Sequence, residues 1–472
     1  MKNLLLFSIL AALILMILAC PKINNKSSSA FNCGCAKQDS SGCKTFPLGH
    51  NGFCASDTCG PNLCSFLPRD VDVVTPNGYN AFIPVCQTPF DWFSWQTFIA
   101  LNWPADAHGM PIGTNINNNP DALRVWETYM EAGEIFGTQT SAKSGGLKVL
   151  SSIAKGGFDH FNGANSDQEA FTGSPLIDRN LNFALYEIRV NPVEASYIIS
   201  NNLNTYNGQK SFGTVNFPSG FYPDSVGSME IKVSWRILVP GIDNFGRYYH
   251  RQAIVSLGKA DVVGGQTIDD TVTIGLIGMH IIRKVKNNGS FWIWSSFEQI
   301  DNAPDSLSLG KQGYSFYNPA CTTCTLNQAP SLLPGDTAFL WSPASGKNPQ
   351  YARRYAPNGY GTQVYRVYPV DVSASAVTQQ WQAKLKAENS VWQYYQLIGS
   401  QWGAQQDFFG GKLVGIPLAE ANTVAETYLQ PYSPPFSGSC LNCHAVAKTS
   451  VGKDANFSFL LGGLTPPKRG GK

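Results

Sequence analysis

Charge is scarce in this sequence. Only 14% of its 472 residues are Asp, Glu, Lys or Arg, and they leave a net charge of +2. Such a balance implies neither nucleic acid nor an acidic membrane surface as a partner. Histidine and methionine are also few, six of each, so any metal-ligand role falls on a short roster. No apolar run after residue 19 is long enough to span a bilayer. There is no G-x-S-x-G, H-E-x-x-H, Walker or dinucleotide fingerprint, so hydrolytic, zincin and nucleotide chemistry have no support. No internal repeat is visible.

What is present begins with an address. Met1-Lys2-Asn3 precedes an uncharged Leu/Ile/Ala stretch from Leu4 to Ala19, the pattern of a signal peptide over residues 1–19. Ile17-Leu18-Ala19-Cys20 resembles the lipobox of bacterial lipoproteins, which implies cleavage before Cys20 and lipid on its sulfur. The alternative is an ordinary secretory signal that happens to contain a cysteine. The lipoprotein reading predicts an exported chain, lipid-anchored to a bacterial membrane, on the periplasmic side or at the cell surface. Residues 20–85 then form a small, polar linker and a Cys-rich arm carrying Cys33, Cys35, Cys43, Cys54, Cys59 and Cys64, with Cys86 just beyond. In an oxidising compartment that crowding predicts local disulfides of undetermined connectivity. A thiolate metal cluster at Cys33-Gly34-Cys35 is the sharper but less economical alternative.

Near the other end stands Cys440-Leu441-Asn442-Cys443-His444, a C-x-x-C-H sequence. Two thiols at this spacing can add to the two vinyl groups of one porphyrin, and the adjacent imidazole then falls beneath the iron. The cofactor expected is therefore one covalent haem c, with Cys440 and Cys443 as attachment points and His444 as proximal iron ligand. The bland alternative is a disulfide beside a surface histidine. Cys321-Thr322-Thr323-Cys324 has the same cysteine spacing, but Thr325 stands where the histidine should be, so a disulfide is expected there.

A small class I cytochrome c domain places this motif near its start and supplies a methionine ligand downstream. Here no methionine follows His444, so the preceding body is expected to build the distal face. His50, His108, His160 and His250 are candidates. Met279-His280 is the more interesting pair, because side chains alternate along a strand and only one of the two can face the iron. Regular alternation puts His280 with Val272, Ile274, Leu276, Gly278 and Ile282, and Met279 with Thr271, Thr273, Ile277 and Arg283. The apolar face thus makes His280 the candidate distal ligand and Met279 the runner-up, with Gly278 leaving room for a porphyrin edge. A lone histidine on an apolar strand is otherwise a satisfied core residue. Glu298 and Asp301 form a weaker acid/base candidate at a strand end.

The elements expected are a helix from Phe90 stopped by Pro104, and another over Asp121 to Met130. Strands follow at Phe183–Val190, Ser228–Val239, Tyr248–Leu257, Thr271–Val285 and Ser290–Phe297, the last two joined at Asn287-Asn288-Gly289. A strand over Thr362–Val370, a helix from Ala374 to Lys386 capped by Ser373, a helix over Val391–Trp402 and a short helix over Asn422–Leu429 complete the body. The fold class expected is α+β: an antiparallel sheet or sandwich body over residues 86–430, with flanking helices. Residues 431–472 are the haem-attachment segment packed on that body.

Several stretches together carry a resemblance: Phe93 to Pro104, Gly278-Met279-His280, Phe297 to Pro304, Ser390 to Leu397, the C-x-x-C-H motif and Phe457 to Leu461. From Phe90 to Leu461 the chain resembles the c-type cytochromes in the broad sense, and within them a functionally uncharacterised family of exported bacterial cytochrome c proteins. The resemblance implies haem c and electron transfer, and carries over Cys440, Cys443 and His444; it supplies no substrate. The expected partner is a redox protein or a quinol or other electron-transport component. A haem-dependent oxidoreductase or peroxidase is the alternative function. A surface-binding or structural lipoprotein with an accessory haem is the second alternative.

Overall fold

The structure is a computed structural model, and it describes residues 61–71, 87–137, 148–150, 174–221, 224–286, 292–404, 414–417, 419–430 and 439–467. The signal stretch, Cys20, most of the Cys-rich arm, His50, His160, Asn287-Asn288-Gly289 and the prolines before the C-x-x-C-H motif lie outside the described residues.

The body is mixed α+β and is built on one sheet. Its strands are β1 (Met130–Glu131), β2 (Lys148–Leu150), β3 (Leu185–Val190), β4 (Met229–Leu238), β5 (His250–Leu257), β6 (Ile268–Lys284), β7 (Trp292–Gln299), β8 (Tyr395–Ala404) and β9 (Val414–Ile416). The order is β1-β3-β4-β6-β7-β8-β9, with β5 on β6 and β2 on β5; among the described strands every pairing is antiparallel except β2 with β5. The long β6 is the axis. Consecutive strands with no helical pattern between them pair antiparallel because a short turn suffices. The helical plan of a class I cytochrome c domain is not this fold.

One face of the sheet is covered by α1 (Thr88–Leu101), whose residues from Phe90 onward are all buried. Ser94 Oγ lies 2.6 Å from both Ser295 Oγ and Ser400 Oγ, and Trp95 stacks on Trp381 at 5.8 Å. Trp381 belongs to the Val372–Ala387 helix. Asp371, and not Ser373, caps that helix, its carboxylate accepting from Ala374 N at 3.0 Å.

Four expected elements differ. Asp121 to Met130 holds only a single 3-10 turn, Val125–Thr128. Thr362 to Val370 is irregular, with one isolated bridge from Gln363 to Leu326 in place of a strand. Val391 to Trp402 is a 3-10 turn (Val391–Tyr394) followed by β8. It is flanked by β7 and β9 and buried on both sides, so its apolar run lacks the alternation that marks a half-exposed strand. The Asn422–Leu429 stretch has helical geometry only over Thr427–Leu429. Cys321 and Cys324 are joined in a disulfide. Among the described residues no helix is long and apolar enough to cross a membrane.

Candidate functional site

The C-x-x-C-H motif forms one short helix, Cys440–His444, capped by Ser439, whose hydroxyl accepts from Asn442 N at 3.3 Å. Gln401 on β8 ties this turn to the sheet: its Oε1 accepts from Leu441 N at 2.9 Å, while its Nε2 donates to Pro417 O. Leu441, Ala447, Ala455, Leu460 and Leu461 are buried against Ile282, Trp292 and Trp294. Apolar burial therefore seats the segment on the face opposite α1.

His444 sits between rings, 5.1 Å from Trp294 and 4.8 Å from Phe459. Its Nδ1 is 2.8 Å from the carbonyl oxygen of Phe457. A carbonyl can only accept, so Nδ1 carries the proton and Nε2 keeps its lone pair. Burial pushes the imidazole pKa down to about 4, assisted by the nearby His280 and Lys232. Asn456 and Phe457 both adopt left-handed backbone, with φ of 51° and 72°, which is costly for an aromatic residue and turns the Phe457 carbonyl toward the histidine.

The cysteine sulfurs are not joined to each other. Burial raises both thiol pKa values, with the carboxylates of Glu420 and Glu426 adding repulsion at Cys440 and that of Glu426 at Cys443, which is pushed up to about 12. Anionic surroundings oppose a thiolate metal site, which needs deprotonated sulfur. They do not oppose neutral thioethers beside a cationic iron. The buried Nε1 of Trp294, against His444, meets no hydrogen-bond partner. The donor set therefore suits a haem: Cys440 and Cys443 would hold its edge and His444 Nε2 its iron.

His280 and Met279 point to opposite faces. Met279 lies in the α1 core, with Asn102 Nδ2 at 3.9 Å from its sulfur. His280 lies on the face that carries the motif, level with Lys232 on β4 and Ser296 on β7. The alternation used to assign their neighbours breaks at a bulge, where Ser234 pairs with Gly278 but Trp235 pairs with Leu276. Val272, Ile274 and Leu276 consequently share the core with Met279, and His280 faces polar company. Its Nε2 is 3.1 Å from Glu426, whose carboxylate also accepts from Asn422 N. The room expected over Gly278 is filled: a Cβ there would lie 2.8 Å from Val424 Cγ2 and 3.3 Å from Asn422 Oδ1.

The other candidates lie elsewhere. His108 is in an exposed loop, and His250 is exposed with Nδ1 against Tyr248 O. Glu298 is buried in an ion pair with Arg366 and accepts from Thr423 N, while Asp301 pairs with Arg247. Both carboxylates have structural partners, and no acid/base pair is formed. Sequence reasoning missed Glu426 and Lys232 altogether; a carboxylate in a Gly/Pro-flanked loop and a lysine on a strand carry no signal until pairing places them beside a histidine. Comparison of the chain with family models, curated proteins and solved structures finds no match.

Proposed function

We propose that this chain is an exported, lipid-anchored c-type haem protein that passes single electrons through one haem, held by thioethers at Cys440 and Cys443 with His444 as axial ligand. The observation that carries the reading is His444 itself: a neutral imidazole whose Nδ1–H is committed to Phe457 O, leaving Nε2 to bind iron. An outer hydrogen bond of this kind fixes the tautomer and strengthens the ligand. Bound there, the haem would supply one-electron chemistry, and the chain would orient it, exclude water and set its potential.

On the distal side His280 is the proposed sixth ligand, since it shares the motif's face and stands near enough to His444 to help depress its pKa. Ligation through Nε2 requires that nitrogen to leave Glu426. A six-coordinate, low-spin iron suits outer-sphere transfer to a redox protein or an electron-transport component. The test is the spectrum of the purified protein. A c-type band in alkaline pyridine, with a ferric form indifferent to cyanide and peroxide, is expected; absence of covalent haem on the 440–444 peptide would overturn the reading.

A second reading rests on the same contact. If Nε2 of His280 stays with Glu426, the pair stands on the open side as an acid/base couple, as a haem-dependent oxidoreductase or peroxidase requires. A five-coordinate, high-spin ferric iron would select it.

A further inference from the structure

His444 is the inner end of a row of rings that runs to the surface. Trp294 is 5.1 Å from His444, Trp292 is 6.5 Å from Trp294, Phe217 is 5.7 Å from Trp292, and Tyr197 is 5.1 Å from Phe217, all centroid to centroid. Each step lies within the range of direct ring packing. Trp292, Trp294 and Phe217 are buried, whereas Tyr197 is half-buried and touches Phe212, also half-buried. Trp292 and Trp294 share one face because they are two apart on β7. Tyr197 is on the helix Pro192–Ser200, capped by Asn191.

The row is held in place by bonds that packing alone does not require. Trp292 Nε1 donates to Asn456 O at 2.9 Å, and Asn456 Oδ1 accepts from Phe217 N at 3.1 Å and from the buried Lys284 amine at 2.7 Å. Asn216 N donates to the Tyr197 hydroxyl at 3.0 Å. The turn that aims Phe457 O at His444 therefore also fixes the middle of the row.

We infer that Trp294, Trp292, Phe217 and Tyr197 form the path by which electrons pass between an iron at His444 and the surface. The inference rests on the haem reading above. In oxidation the ferrous iron loses one electron and a one-electron acceptor docked near Tyr197 gains it. The electron tunnels along the touching rings, which supply the electronic coupling and are not themselves oxidised or reduced, so all four end unchanged and no bond is made or broken.

The test uses the full haem-bearing protein with a ruthenium polypyridine photo-oxidant bound to a histidine placed at the exposed Ser200, one helical turn from Tyr197. A second preparation carries the label on the exposed native His108. After a flash, oxidation of the ferrous iron from position 200 is expected to slow by about tenfold or more in Trp292→Phe and in Tyr197→Leu. The rate from His108 is expected to stay unchanged. Tyr197 is only half-buried, so its variant keeps the test alive if Trp292→Phe fails to fold. Unchanged rates from position 200 would overturn the path, as would equal slowing from both labels, which would mark a general change at the haem. Absence of a c-type band before any flash would instead overturn the haem reading, and a normal band with unchanged rates overturns the path alone.

Discussion

The Phe457 carbonyl oxygen lies 2.8 Å from His444 Nδ1, and Phe457 holds a left-handed φ of 72° to present it. A β-carbon in that region costs on the order of 1–3 kcal/mol, so the turn is sustained by what surrounds it. Trp294 packs on both residues, at 6.2 Å from Phe457 and 5.1 Å from His444. Phe457→Gly removes the strain together with the ring that positions the carbonyl. The expected result is a more mobile proximal hydrogen bond, a less electron-rich imidazole and a midpoint potential raised by roughly a few tens of millivolts. Potentiometry checks the direction, and a lowered potential would contradict this account of the bond.

His280 and Met279 are adjacent in sequence and separated by the thickness of the sheet. His280→Ala is expected to convert a six-coordinate iron to high-spin, read by absorption and resonance spectra. Met279→Leu, a nearly volume-conserving change in the α1 core, should leave the spectrum alone and cost less than about 1.5 kcal/mol of stability. Identical spectra for both variants would remove His280 from the axial position and favour its acid/base role with Glu426.

Asn456 joins three elements: its side chain accepts from Lys284 and Phe217, and its carbonyl accepts from Trp292. Asn456→Ala leaves a buried ammonium and a backbone N–H without that acceptor and puts an ordinary β-carbon at φ 51°. A loss of about 2–3 kcal/mol is expected, concentrated in residues 439–467. Limited proteolysis should cut this segment first while the sheet resists. A uniform loss of protection would instead mean that the segment and the sheet unfold as one.

The sheet was legible because its hairpins announce themselves. Met229–Leu238, Ile268–Lys284 and Trp292–Gln299 fall within a few residues of their expected limits. β8 was not legible. Leu397, Ile398, Gln401 and Trp402 are all buried, and a strand covered on both faces reads like a core helix. The motif itself was fully visible, but its surroundings were not. One bulge beside Gly278 reverses the face of every residue before it, which no alternation count can foresee. Val424 over Gly278 and Glu426 on His280 are contacts between segments about 146 residues apart.

Asp91 offers a test that is independent of the haem. It lies fully buried in α1, one oxygen accepting from Gln87 Nε2 at 3.1 Å and the other with no partner. Burial, with repulsion from Asp371, raises its pKa from 3.8 to about 7. Between those values the fold holds a proton that the unfolded chain has released. Stability therefore falls as pH rises from about 4 to 7 and is level above, by an amount on the order of 4 kcal/mol. Asp91→Asn has nearly the same shape and no charge to bury. Its melting temperature at pH 8 should exceed that of the parent, and the gap should close as pH approaches 4. An equal offset at both pH values would mean that Asp91 titrates alike in the folded and unfolded chain, and that its burial does not control the pH profile.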